Sequence, residues 1–150
     1  MDAIKFKALL DTNVLVDVLA SPDRPSAEAS RIIFQAIRSG YLEGVITTQS
    51  ILDAAYILSR TAPSYDPVEF GRRILSIMNY VNVDSILSFD IRDAILHPGG
   101  DLEDDALFAH AKAEGCDAVI TSDRKFRWQK EASGMPIYTP DAFAARLRGL

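Results

Sequence analysis

Ala8-Leu9-Leu10-Asp11-Thr12-Asn13-Val14-Leu15 holds a strand, a stop and a helix start in succession. Ile4, Phe6 and Ala8-Leu9-Leu10 read as a short buried strand, and Asp11-Thr12-Asn13 halts it with side chains that suit a turn or helix cap. Val14, Leu15, Val18 and Leu19 then recur at helical spacing until Ser21-Pro22-Asp23-Arg24-Pro25 breaks the pattern. The same arrangement returns downstream. Gly44-Val45-Ile46-Thr47 passes into a helix from about Gln49 to Arg60, and Ala118-Val119-Ile120-Thr121 stops at Ser122-Asp123. Pro136-Ile137-Tyr138 precedes a helix over 140–148, and Val81-Asn82-Val83 reads as a further strand. Helices are predicted over 26–38, from Asp66-Pro67 to about Val81, over 90–96 and over 101–114. The strands are continuous apolar runs that alternate with helices. That pattern predicts a mostly parallel sheet covered by helices on both faces.

The 150 residues suffice for one domain with a sizeable core, and no repeat or linker divides them, so 1–150 is read as one domain. With 48% hydrophobic and 25% charged residues, the chain is not of the disordered or fibrous type. The formal net charge of −5 argues against coating nucleic acid by bulk electrostatics, while leaving room for a local basic patch. Cys116 is the single cysteine, which excludes an internal disulfide and any Cys₄ or Cys₂His₂ zinc site. The opening residues make a poor signal peptide, and no run approaches the roughly 20 apolar residues of a membrane span. The expected location is cytoplasmic, with no membrane association.

Neither a dinucleotide-binding nor a P-loop glycine motif occurs, and there is no serine-hydrolase elbow. His97 and His110 form no close metal pair and read as loop or surface histidines. The acids carry more information. Ligands of a parallel α/β sheet bind beyond the carboxyl ends of its strands. Asp11 and Asp123 each follow such an end, Asp53 lies one turn into the helix after Thr47, and Asp104 opens a later helix. Each also has a purely structural reading. Asp11 and Asp123 could cap helices, the run Asp101 to Asp105 could serve a helix dipole, and Asp53 could be an exposed acid beside Gln49 and Arg60. Together, four converging carboxylates would repel one another unless a cation offset their charge. Oxygen-only ligands select Mg²⁺ or Mn²⁺, and the fitting chemistry is phosphodiester hydrolysis, in which the ion lowers the pKa of a water and offsets charge on the departing oxygen.

Leu9-Leu10-Asp11-Thr12-Asn13-Val14-Leu15 resembles the opening motif of PIN domains. Asp101-Leu102-Glu103-Asp104-Asp105-Ala106-Leu107 with Ala111, and Ala118-Val119-Ile120-Thr121-Ser122-Asp123, resemble their later acidic helix and terminal strand-plus-acid. Thr47 to Leu58 and Ile137 to Phe143 are similar to segments of the subgroup related to VapC-type toxin ribonucleases. The resemblance implies a three-layer α/β/α sandwich and a metal-dependent endoribonuclease built from Asp11, Asp53, Asp104 and Asp123. Thr12, Asn13, Thr121 and Ser122 would orient ligands or waters. Two departures stand out: Asp53 occupies a position where many PIN domains carry Glu, and Asp104 and Asp105 are adjacent, a register that the resemblance resolves toward Asp104 by its spacing to Ala111.

Arg124, Lys125, Arg127 and Lys130, interleaved with Phe126 and Trp128, could hold an RNA backbone and stack a base, or form a solvated basic loop. The expected partners are an RNA substrate, an antitoxin protein and a second copy of the chain. The competing readings are a PIN-like module that binds RNA or protein without cutting, and a phosphorylated signalling domain. The second lacks an acid adjacent to Asp11.

Overall fold

Apolar strands flanked by capping residues dictate where each element begins. A computed structural model describes residues 5–20, 22–125 and 134–149. The elements run β1 (Lys7–Leu10), α1 (Thr12–Leu19), α2 (Ala27–Arg38), β2 (Glu43–Thr47), α3 (Thr48–Thr61), α4 (Pro67–Met78), β3 (Asn82–Asp84), α5 (Ser88–Leu96), α6 (Leu102–Ala113), β4 (Ala118–Ile120), β5 (Ile137–Tyr138) and α7 (Pro140–Arg148). Thr47, Asp66, Asp101 and Thr139 each accept a backbone N–H in the first turn of the helix they precede, which satisfies donors the helix itself cannot. Gly40 and Gly115 close α2 and α6 at φ +81° and +68°, a region that residues with a Cβ rarely enter.

The five strands are ordered β3-β2-β1-β4-β5, and every pairing is parallel. Alternate strand residues serve opposite faces. Ala8, Leu10, Ile46 and Ile120 join the larger core with α1, α2, α3, α4 and α7, while Leu9, Val45 and Val119 pack with Leu107, Phe108 and Ala111 of α6. The result is the α/β/α sandwich expected from the sequence. Leu9 and Leu10 are both fully buried, on opposite faces, and truncating either to alanine should cost about 2–5 kcal/mol.

Two sequence expectations shift. The β3 strand runs one residue later than Val81-Asn82-Val83, so Asp84 becomes its terminal residue, paired in register with Thr47 of β2. On α4, Ile74 and Ile77 are buried as the apolar stripe requires, but Met78 lies on the exposed side. Among the described residues, no helix is long and apolar enough to cross a membrane.

Candidate active site

Because β1 and β4 are neighbours in register, with Leu10 opposite Ile120, the residues just beyond them emerge side by side. Asp11 Oδ1 accepts the N–H of Thr12 at 2.8 Å, capping α1, and Thr121 Oγ1 donates to Asp11 Oδ2 at 2.7 Å. The same threonine oxygen accepts the N–H of Asp123 at 3.0 Å, so Thr121 ties the two acids to one hydroxyl. Asn13 and Ser122 follow Thr12 and Thr121 in the chain, the first half-buried and the second exposed.

A second set of hydroxyls places α3. Thr12 Oγ1 and Thr47 Oγ1 both donate to Ser50 Oγ, at 3.0 and 3.1 Å, pinning the start of α3 against the start of α1. Asp53, one turn further, is half-buried and accepts from Gln49 Nε2 at 2.9 Å. Across from it stands Glu103 of α6, whose carboxyl shares a hydrogen bond with that of Asp53. Burial first, and then Asp53, push Glu103 above its ordinary pKa.

Asp104 and Asp105 separate cleanly. Asp105 is buried and accepts the N–H of Gly99 at 2.7 Å, which fastens the loop before α6. Asp104 lines the cleft, capped through its own N–H by Asp101 Oδ1 at 3.0 Å. Burial and the charges of Asp101, Asp11, Asp123 and Glu103 push its carboxyl up to about 7. Burial likewise raises Asp11, against the opposing hydrogen bonds from Thr121 and Thr12 and with help from the charges of Asp123 and Asp53.

Asp11, Glu103 and Asp104 face a cleft of about 420 Å³ together with Thr12, Thr47, Gln49 and Ser50, and its other wall is apolar, formed by Ile86, Ile91, Leu102 and Leu107. The structure therefore brings Asp11, Asp53, Asp104 and Asp123 into one electrostatic neighbourhood and adds Glu103, which the sequence reading had left as a helix-dipole acid. Ser50 was also missed, although its place three residues after Thr47 is a capping signature. The charges acting on Asp104 are all negative and the donors are all oxygen, so the set fits a hard divalent cation. Arg124 and Lys125 are exposed beside Asp123, whose Oδ1 accepts the Lys125 N–H at 2.9 Å. Arg127 and Lys130, with Phe126 and Trp128, lie outside the described residues.

The reading of His110 as a surface or loop histidine is corrected. His97 is exposed, but His110 is 2% exposed and stands between two carboxylates, with Nδ1 2.9 Å from Asp90 Oδ2 and Nε2 3.0 Å from Asp84 Oδ2. Its α6 surroundings are buried continuously from Asp105 to Ala111, so no polar face betrays the position in sequence.

The PIN domain sequence profile matches residues 7–125. The sequence matches no curated protein. Among solved structures, PAE2754 from Pyrobaculum aerophilum superposes with a TM-score of 0.67 at 17% identity, over 99% of this chain and 93% of its own. VapC20 of Mycobacterium tuberculosis, a sarcin–ricin-loop-cleaving toxin, gives 0.63 at 15% identity over 85% of this chain and 95% of its own. VapBC2 of Rickettsia felis, bound to a promoter DNA fragment, gives 0.58 at 12% identity over 89% of this chain and 98% of its own. At these identities the likeness is one of fold.

Proposed function

The chain belongs to the PIN domain family, whose members are generally nucleases, and on that premise we propose that it is a Mg²⁺- or Mn²⁺-dependent endoribonuclease, the toxin of a toxin–antitoxin pair. The observation that carries the reading is the convergence of acids at the carboxyl edge of the sheet, with Asp104 pushed up to about 7 by burial and by neighbours that are themselves acids. Such a cluster favours any cation that enters it. Asp11, Asp53, Asp104 and Asp123 would hold the ion, with Glu103 beside them. When bound, it supplies an activated water and offsets charge on the departing oxygen of a phosphodiester.

The chain's own residues set the stage for that chemistry. Thr121 and the Thr12 N–H hold Asp11 in one orientation, and the Thr12–Ser50–Thr47 hydroxyls fix α3 so that Asp53 faces α6. Asn13 and Ser122 extend this polar support. Ile86, Ile91, Leu102 and Leu107 give the cleft an apolar wall opposite the acids. Arg124 and Lys125, with Arg127 and Lys130, would grip the RNA backbone, and neutralising the first two should lower the salt slope of RNA binding by roughly 1.4. A sarcin–ricin-loop-cleaving toxin and a toxin–antitoxin assembly among the structural neighbours support an antitoxin partner. A homodimer and a cytoplasmic location complete the proposal.

The test is cleavage of a mixed RNA pool with Mg²⁺, Mn²⁺ or EDTA by the wild type and by the Asp11→Asn and Asp104→Asn variants, each confirmed as folded. Metal-dependent cutting should fall at least about 100-fold in both variants, the size of effect expected when a group that stabilises developing charge is lost. RNA bound equally by all three proteins but cut by none would replace the enzyme with a binding module.

A further inference from the structure

We propose that Asp84, His110 and Glu114 form a second metal site, separate from the cleft acids and suited to a Zn²⁺-type ion, with Asp90 as the carboxylate that orients the histidine. Their ligand atoms all lie within 4.8 Å of one another, and none of the three residues lines the cleft. Asp84 ends β3, which β2 separates from the strand that delivers Asp11.

The histidine is built as a ligand would be. Its Nδ1 faces the buried carboxylate of Asp90 at 2.9 Å, which leaves Nε2 as the atom turned toward Asp84. A carboxylate behind the far ring nitrogen is the usual way a protein fixes the tautomer and aim of a metal-binding imidazole. Zinc bonds of about 2.0–2.2 Å in tetrahedral array put neighbouring ligand atoms roughly 3.3–3.6 Å apart. The Nε2 to Asp84 Oδ2 separation of 3.0 Å is already close to that spacing. Glu114 follows the end of α6, four residues after His110, and its carboxylate lies within the same 4.8 Å group.

Glu114 supplies an independent reason to look for a cation. It is the C-cap of α6, where the helix dipole opposes a carboxylate and favours positive charge. Lys7 Nζ reaches the Glu114 carbonyl at 3.0 Å and so answers part of this field. Even a protonated His110, however, carries one positive charge against the carboxylates of Asp84, Asp90 and Glu114. A divalent ion on a neutral imidazole meets that excess better. A nitrogen ligand among carboxylates selects Zn²⁺ over Mg²⁺.

The experiment uses the full chain carrying Asp11→Asn and Asp104→Asn, which removes two acids from the cleft. Zn²⁺ binding is followed by calorimetry and Co²⁺ binding by visible absorption, with and without the added change Glu114→Gln. Glu114 is exposed, so its replacement leaves the core intact. The expected result is roughly one tight Zn²⁺ per chain, undisturbed by excess Mg²⁺, a Co²⁺ spectrum of nitrogen–oxygen ligation, and affinity lowered about tenfold or more by Glu114→Gln. Asp90→Asn should weaken binding by a similar factor through loss of the histidine's orientation. Absence of Zn²⁺ binding, or equal affinity with and without Glu114, overturns the site and leaves a metal-free ion pair.

Discussion

The first and last turns of α6 both gather carboxylates, yet they settle the charge differently. At the first turn, Asp104 and Glu103 meet Asp11, Asp53 and Asp123, and the charges acting on Asp104 are all negative. At the last turn, His110 stands between Asp84 and Asp90 and supplies a positive charge of its own. Burial alone would lower the His110 pKa, but the hydrogen bonds and charges of Asp90 and Asp84 outweigh it and raise the group above its ordinary value. Without metal, the His110 cluster balances part of its own charge. The cleft acids act chiefly on one another, and an added cation relieves that repulsion.

The comparison can be broken by removing one member from each side in EDTA. His110→Ala leaves Asp84 and Asp90 facing each other without a cation, and breaking a buried ion pair in this way typically costs about 3–5 kcal/mol. For a chain of this size the melting temperature should fall by roughly 6–20 °C. Asp104→Asn should do the reverse. It removes repulsion, and after allowance for solvent screening the gain is about 1 kcal/mol, or a rise of roughly 2–4 °C. Calorimetry of the two variants beside the wild type decides the matter, and a loss of stability in Asp104→Asn would show that the cleft acids are structural.

The two clusters also differ in how far the sequence announces them. Asp11 and Asp123 were legible because each follows an apolar strand, and a parallel sheet delivers such residues to one edge. Asp53 and Asp104 were legible from their places near helix starts. Glu103 was not, since an acid in a first helical turn has a sufficient explanation in the dipole, and only the approach of α3 gives it a partner. His110 was opaque for a stronger reason: its partners lie 20 and 26 residues away, on α5 and on a strand whose end was placed one residue early, so that Asp84 fell outside it. Helix and strand periods reveal faces toward a core. They do not reveal which polar groups two separate elements present to each other.

A smaller effect sharpens the contrast through pH. Asp104 has a pKa of about 7 in the fold against an ordinary 3.8, so between those values the folded chain holds a proton that the unfolded chain has released. Its contribution therefore falls as pH rises through that window. The raised His110 pKa acts later, because its stabilisation is intact below the ordinary 6.5 and is lost only as pH passes the folded value. Melting temperatures in EDTA from pH 4.5 to 6.5 isolate the acids. The wild type should lose stability relative to Asp104→Asn by about 1 kcal/mol across this range, and saturating Mg²⁺ should cancel the difference. Parallel curves for the two proteins would mean that Asp104 carries no such penalty.

The smallest expected effect distinguishes an acid that holds the ion from one that merely faces it. Glu103→Gln keeps a hydrogen bond to Asp53, because an amide N–H donates to the Asp53 carboxyl. Stability in EDTA should therefore change by less than about 0.5 kcal/mol, the range of ordinary surface substitutions. Mg²⁺ affinity separates the two roles. Should Glu103 contribute only its field, calorimetric affinity will weaken by less than about tenfold and cleavage will recover at high Mg²⁺; should it ligate directly, the loss will match that of Asp104→Asn and added metal will not restore the rate. The first outcome is expected, since the Glu103 carboxyl is already engaged by Asp53, while Asp104 lines the cleft and is raised by Asp101, Asp11, Asp123 and Glu103.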